Sequence, residues 1–142
     1  MRLFKPNIKK MEAERDVEAL IGTLQDRNRK VGEDSAWALV KIGKPAVESL
    51  IRALKISDCQ VKWGVGLVAW TLGKIGDSRA VEPLIQALQN PEGVVREEAA
   101  WALGELKDVR ASKSLLHALR DNEIAVRREA AKALEKMGVK PI

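Results

Sequence analysis

The chain repeats itself. Val17-Glu18-Ala19-Leu20-Ile21-Gly22-Thr23-Leu24 returns as Val47-Glu48-Ser49-Leu50-Ile51-Arg52-Ala53-Leu54 and again as Val81-Glu82-Pro83-Leu84-Ile85-Gln86-Ala87-Leu88. A looser copy runs from Ala111 to Leu119, and the anchor leucines 20, 50, 84 and 115 stand 30, 34 and 31 residues apart. Seven residues after the last leucine of each copy comes a valine: Val31, Val61, Val95 and Val126. Each valine opens a second periodic segment that closes on Leu39, Leu72, Leu103 or Leu134. A period of this length marks an array of supersecondary units. One such unit cannot bury its own apolar face, so neighbours must stack.

Within a unit the spacing predicts two helices, A and B. In A, Val17, Leu20, Ile21 and Leu24 fall at i, i+3, i+4 and i+7, the stripe of a half-buried helix. In B of the third unit the stripe is Val95, Ala99, Ala102, Leu103 and Leu106. Short polar turns such as Gln89-Asn90-Pro91-Glu92-Gly93 separate A from B. Gly43, Gly76 and the pair Lys107-Asp108 fall between units, where glycine relieves a left-handed C-terminal position and Asp accepts from free N–H groups of the next helix. The expected fold is all-α: a right-handed α-solenoid of four helical hairpins, A helices outside and B helices lining the concave face. Units are placed at 16–43, 44–76, 77–107 and 108–138, after an N-terminal arm and capping helix at 1–15 and before a short tail ending at 142. Unit two holds three extra residues between Val61 and Leu72, which predicts a second helix longer by nearly a turn.

Asp77-Ser78-Arg79-Ala80-Val81-Glu82-Pro83-Leu84-Ile85, followed by Val95-Arg96-Glu97-Glu98-Ala99-Ala100-Trp101-Ala102-Leu103-Gly104, resembles the HEAT-like repeats first named for phycobilisome lyases. The opening Phe4-Lys5-Pro6-Asn7 through Arg15 to Ile21 resembles the start of archaeal and bacterial members. The chain departs from the pattern at Gly32 and Lys62, where an Arg usually follows the valine, and at Leu134-Glu135 in place of Leu-Gly. The resemblance implies the α-solenoid. It does not fix an activity, because the family spans chromophore lyase subunits, hydroxylases, regulators and scaffolds. Its di-iron member, deoxyhypusine hydroxylase, binds metal through repeated His-Glu pairs, whereas here the single histidine, His117, precedes Ala118. That activity is not carried over.

Composition removes further chemistry. One cysteine, Cys59, allows no disulfide within the chain, and with one histidine it leaves no zinc cluster. Cys59 falls in a turn of unit two and His117 on helix A of unit four, so the two are not expected to meet as nucleophile and base. Gly64-Val65-Gly66 lacks the strand and third glycine of a phosphate loop. The adjacent carboxylates Glu33-Asp34 and Glu97-Glu98 are expected to point into different sectors and to be solvated. No catalytic residue, metal or cofactor is therefore assigned. The net charge of +5 sits at the ends: residues 1–30 carry 8 basic and 5 acidic side chains, 31–107 carry 9 and 10, and 108–142 carry 8 and 5. An acidic middle argues against a nucleic-acid groove. The apolar run Gly64 to Gly73 is too short for a bilayer, and no signal-like segment opens the chain, so a cytoplasmic protein is expected.

The candidate site is an aromatic ladder. Trp37, Trp70 and Trp101 each stand two residues before the closing leucine of a B helix, with Lys132 in that slot in unit four. At about 100° per residue this slot lies nearly opposite the inward stripe. Trp63, seven residues before Trp70, falls on the same side, opposite Val61, Val65, Val68 and Leu72. Gly64, Gly66 and Gly73 are costly in a helix and imply close approach of another backbone or a bend. The indoles either lie flat between B helices or form a strip on the concave face, edged by Glu33, Glu97, Arg128 and Lys132. The expected function is a non-catalytic scaffold for a protein or peptide, with a homodimer as one form. A phycobilin-lyase-like handler of chromophores and a nucleic-acid binder are the alternatives.

Overall fold

The computed structural model describes residues 5–55 and 62–140, apart from the side chains of Lys62 and Trp63. Nine α-helices and three 3-10 turns make up the described residues, and no strand occurs among them. A short α1 (Ile8–Ala13) leads into four hairpins: α2 (Val17–Leu24) with α3 (Arg29–Ile42), α4 (Val47–Lys55) with α5 (Lys62–Ile75), α6 (Val81–Ala87) with α7 (Gly93–Leu106), and α8 (Ser112–Ala118) with α9 (Ile124–Met137). The fold is an α-solenoid. Consecutive B helices α3, α5, α7 and α9 pack against one another, while the A helices meet more sparingly, so the B layer is the tighter, inner one.

The anchor leucines make the core. Leu20, Leu50, Leu84 and Leu115 of the A helices and Leu39, Leu72, Leu103 and Leu134 of the B helices expose no surface. Each such side chain contributes about 1.5–3 kcal/mol of burial. Ile8 and Met11 of α1 pack on this core, so the capping helix covers the first hairpin; Asn7 caps it by accepting from the Lys10 N–H at 3.0 Å. Leu3, Phe4 and Cys59 lie outside the described residues.

Units are tied by repeated polar devices. Asp77 caps the 3-10 turn Ser78–Ala80, accepting from the Arg79 N–H at 2.9 Å, and Arg79 reaches back to Glu48 of the previous unit at 3.1 Å. Its guanidinium holds the Asp77 carboxyl down at about 2. Asp108 and Arg110 repeat the device one unit on, reaching Glu82 at 3.9 Å. On the side of the A–B turns, Arg96 donates to Asp121 at 2.8 and 3.0 Å and to the carbonyls of Asn90 and Pro91 at 2.8 and 3.0 Å. The HEAT-pattern arginine thus fastens α7 to both its own turn and the next.

Glycines set the spacing of the inner layer. A Cβ on Gly64 would stand 2.9 Å from the Gln25 side chain and 3.3 Å from its Cα. One on Gly104 would stand 2.9 Å from the Cα of Ala133. A Cβ on Gly73 would likewise stand 2.8 Å from the Cα of Ala102, so Gly64 and Gly73 meet the expected close approach, and the helix itself is unbroken from Lys62 to Ile75. Among the described residues α3, α5, α7 and α9 each span 14 residues, and α5 starts at the first residue described after position 55. Counted from the start of its helix, the slot that Val95 and Val126 occupy belongs in unit two to buried Gly64. Gly64 has no side chain where it faces Gln25, and Val61, where the expected extra turn begins, lies outside the described residues.

Candidate functional site

The four B helices are in register, so one position repeats at one height. Trp37, Trp70, Trp101 and Lys132 are each the ninth residue of their helix. Stacking brings the three indoles into one group. The rings of Trp37 and Trp70 meet edge to face, with centroids 5.0 Å apart and planes at 79°. Those of Trp70 and Trp101 lie nearly parallel, 6.1 Å apart and at 12°. Such pairs contribute about 0.5–1.5 kcal/mol beyond burial. Trp37 is 51% exposed, whereas Trp70 and Trp101 are half-buried and pack on the core. The rings pack between hairpins and at the same time keep an edge in solvent.

Four residues further on, Lys74 of α5 lies close to the whole group. Its Nζ is 5.8, 5.7 and 5.6 Å from the ring centroids of Trp37, Trp70 and Trp101. Lys136 of α9 stands 5.9 Å from Trp101 and pairs with Glu105 at 2.6 Å. The C-terminal edge of the ladder is thus held by the chain's own cations.

Toward the N-terminal ends of the helices the surface opens instead. A hollow of about 260 Å³ is lined by Glu33 and Trp37 of α3, Leu67 and Trp70 of α5, and Val94 and Glu98 of α7. It exists because α5 has no side chain at Gly66, in the row where its neighbours carry Glu33 and Glu97. A Cβ there would only touch the Glu98 side chain at 3.4 Å and Val94 at 3.7 Å. A second hollow of about 220 Å³ adjoins it, walled by Trp70, Trp101, Glu97, Glu98 and Glu129.

Carboxylates dominate both hollows. Glu33 pairs with Arg29 at 3.3 Å and Lys132 with Glu129 at 3.6 Å. Burial pushes the Glu98 carboxyl up to about 7, and the like charges of Glu97 and Glu129 add to the shift against a smaller pull from Arg29. The expectation that Glu97-Glu98 would be two solvated carboxylates fails at Glu98, which the stacking of α9 beside α7 turns into a crowded acidic wall. Arg128, one residue before Glu129, is exposed. Trp63 belongs to α5, but its side chain lies outside the described residues. The sequence reading missed Leu67, Glu129 and Lys74, and placed Glu98 on this face only as a solvated carboxylate. Leu67 and Glu98 share one helical slot, three residues before Trp70 and Trp101, which is the signal that finds them.

Elsewhere the chemistry is sparse. His117 is exposed on α8, beside a polar hollow that includes Arg96 and Asp121. Among the described residues no group of three or more His, Cys, Asp or Glu is placed to hold a metal ion, and no helix is long and apolar enough to cross a membrane.

The sequence family described as HEAT repeats matches residues 65–135. A search of curated proteins found no match. Among solved structures, the complex of CpcE and CpcF of phycocyanin lyase from Nostoc sp. PCC7120 is similar at a TM-score of 0.77 and 26% identity, over 88% of this chain and 79% of that one. Human deoxyhypusine hydroxylase in complex with glycerol is similar at 0.72 and 25%, over 96% of this chain and 50% of the hydroxylase. A designed armadillo repeat protein in complex with a (KR)4 peptide shares the fold at 0.56 and 20% identity, over 92% of this chain and 67% of that one.

Proposed function

The chain belongs to the HEAT-repeat family, and from that premise we propose that it is a non-catalytic scaffold that seats a segment of another protein, or a peptide, along its inner face. The observation that carries this reading is the joining of Trp37, Trp70 and Trp101 from three successive hairpins into one partly exposed aromatic group beside two hollows. Exposed contiguous apolar surface marks interaction sites, and Trp dominates interface hot spots. The carboxylates around the rings oppose a phosphate backbone, which sets nucleic acid aside as the partner. The test is selection of binders from a random peptide library on the wild-type chain, followed by rebinding to Trp37→Ala and Trp70→Ala. At least tenfold weaker binding, about 1.4 kcal/mol, with unchanged helix content supports the reading. Binders indifferent to both substitutions overturn it.

A second reading, chromophore handling, draws on the likeness to the CpcE and CpcF complex of phycocyanin lyase. Indoles offer flat surfaces on which a tetrapyrrole stacks. Mixing the chain with a free bilin tests it: a shifted bilin absorbance with quenched Trp emission supports the reading, and unchanged spectra at high concentration end it.

A further inference from the structure

On the reading that the inner face binds a peptide, we infer that the hollow between Trp37, Trp70 and Glu98 receives one arginine side chain of the bound segment. Four observations point to that chemistry. Its walls are two indoles and the apolar Leu67 and Val94, which suit the flat face and methylene stem of a long side chain. Its polar groups are carboxylates: Glu33 and Glu98 line it, and Glu97, Glu98 and Glu129 line its neighbour. The single basic lining residue, Arg29, is already paired with Glu33. Finally, Lys74 shows what these rings accommodate, since its ammonium sits within 6 Å of all three centroids at their C-terminal edge. The opposite, N-terminal edge has the same rings and more acid.

Arginine fits better than lysine because a planar guanidinium stacks on an indole while giving two N–H bonds to one carboxylate. A hollow of about 260 Å³ also exceeds what a lone ammonium fills. An acidic side chain would meet Glu33 and Glu98, and a purely apolar one would bring no charge to the half-buried Glu98 carboxylate, on which Arg29 exerts only a small pull. The groups facing Glu98 are Glu97 on its own helix, Arg29 and Glu33 on α3, and Glu129 on α9; α5 contributes Leu67 and Trp70 there, its Lys74 lying at the far edge. The balance is acidic. A guanidinium therefore favours the ionised carboxylate, and binding expels a proton at pH below about 7.

The probes are short alanine peptides carrying one central arginine, citrulline, norleucine or glutamate, titrated against the full chain and read by the indole N–H signals of Trp37 and Trp70. The arginine peptide is expected to bind at least tenfold more tightly than the isosteric, uncharged citrulline peptide, with the advantage growing from pH 6 to pH 8. Glu98→Gln should remove the advantage and its pH dependence. Gly66→Leu should fill the hollow and abolish the response while leaving helix content intact. Equal binding of arginine and citrulline, preference for norleucine, or no indole shift at millimolar arginine peptide overturns the inference. A library whose Trp70-dependent binders contain no required arginine overturns it alone, because the scaffold reading then stands; a library with no Trp-dependent binder removes both.

Discussion

Gly73 and Ala102 touch through their backbones: a Cβ on Gly73 would stand 2.8 Å from both the Cα and the Cβ of Ala102 and 2.9 Å from the ring of Trp101. No flexible side chain is available there to move aside. Gly104 repeats the contact against Ala133 at 2.9 Å. Alanine at either glycine gains about 1 kcal/mol of helix propensity and loses about 1–3 kcal/mol to overpacking. Gly73→Ala is therefore expected to lower stability by about 1–2 kcal/mol in urea titrations and to shift Trp emission, since it pushes α7 and its indole away from Trp70. A variant as stable as wild type would show that the inner layer slides freely.

Lys107 offers the opposite prediction. It follows α7 as Gly43, Gly76 and Gly138 follow α3, α5 and α9, and it takes φ 53°, a left-handed value that glycine adopts at little cost. Lys107→Gly should raise stability by about 1 kcal/mol, measured as a higher urea midpoint with unchanged slope.

The Arg96–Asp121 pair is nearly buried, its side chains 13% and 12% exposed. Asp121→Ala strands a guanidinium that fastens two turns and should cost about 3 kcal/mol. The Arg96 guanidinium also holds the Asp121 carboxyl below its ordinary 3.8. A depressed carboxyl stabilises the fold fully above its unfolded value and loses that contribution as pH falls through the folded one. Acid titration should thus show a loss of stability below about pH 4 that is smaller in Asp121→Asn.

Glu98 works with the reverse sign. Its carboxyl is raised from 4.5 to about 7, so between those values the folded chain holds a proton that the unfolded chain has released. Stability from this group is complete below about pH 4.5 and declines as pH rises to about 7. Glu98→Gln should flatten that slope and be at least as stable as wild type at pH 8, as judged by melting temperature across pH.

The indoles divide in their structural weight. Trp37→Ala removes a ring that is half in solvent and should cost about 1 kcal/mol or less. Trp70→Ala empties a space between α3 and α7 and should cost about 2–3 kcal/mol, below the ~3–5 kcal/mol of a fully buried Trp. Equal losses at both positions would mean that Trp37 is packed as deeply as its neighbour.

The periodic leucines made the hairpins legible, because a side chain that recurs with the helical period on both helices of a unit has one place to go. Trp37, Trp70 and Trp101 were legible as a column for the same reason. Direction alone did not tell how far Trp70 and Trp101 sink, which depends on the distance between adjacent B helices, and that distance is set by Gly73 and Gly104 against alanines of the next unit. Adjacent carboxylates on one helix point to solvent in the sequence reading, whereas Glu98 meets Trp70 and Glu129 of two other helices at the second hollow, a contact that only stacking creates. In unit two Val61 copies the valine of the motif, while Gly64 stands six residues before Trp70, as Val95 does before Trp101.

Gly66 carries a wider implication. The concavity beside Trp70 is produced by an omission within a row of otherwise bulky residues, so where a ligand anchors is decided by which hairpin drops its side chain. Because every hairpin presents the same row, exchanging glycine and glutamate between Gly66 and Glu97 would transplant the socket one rung along the array without rebuilding the framework that supports it.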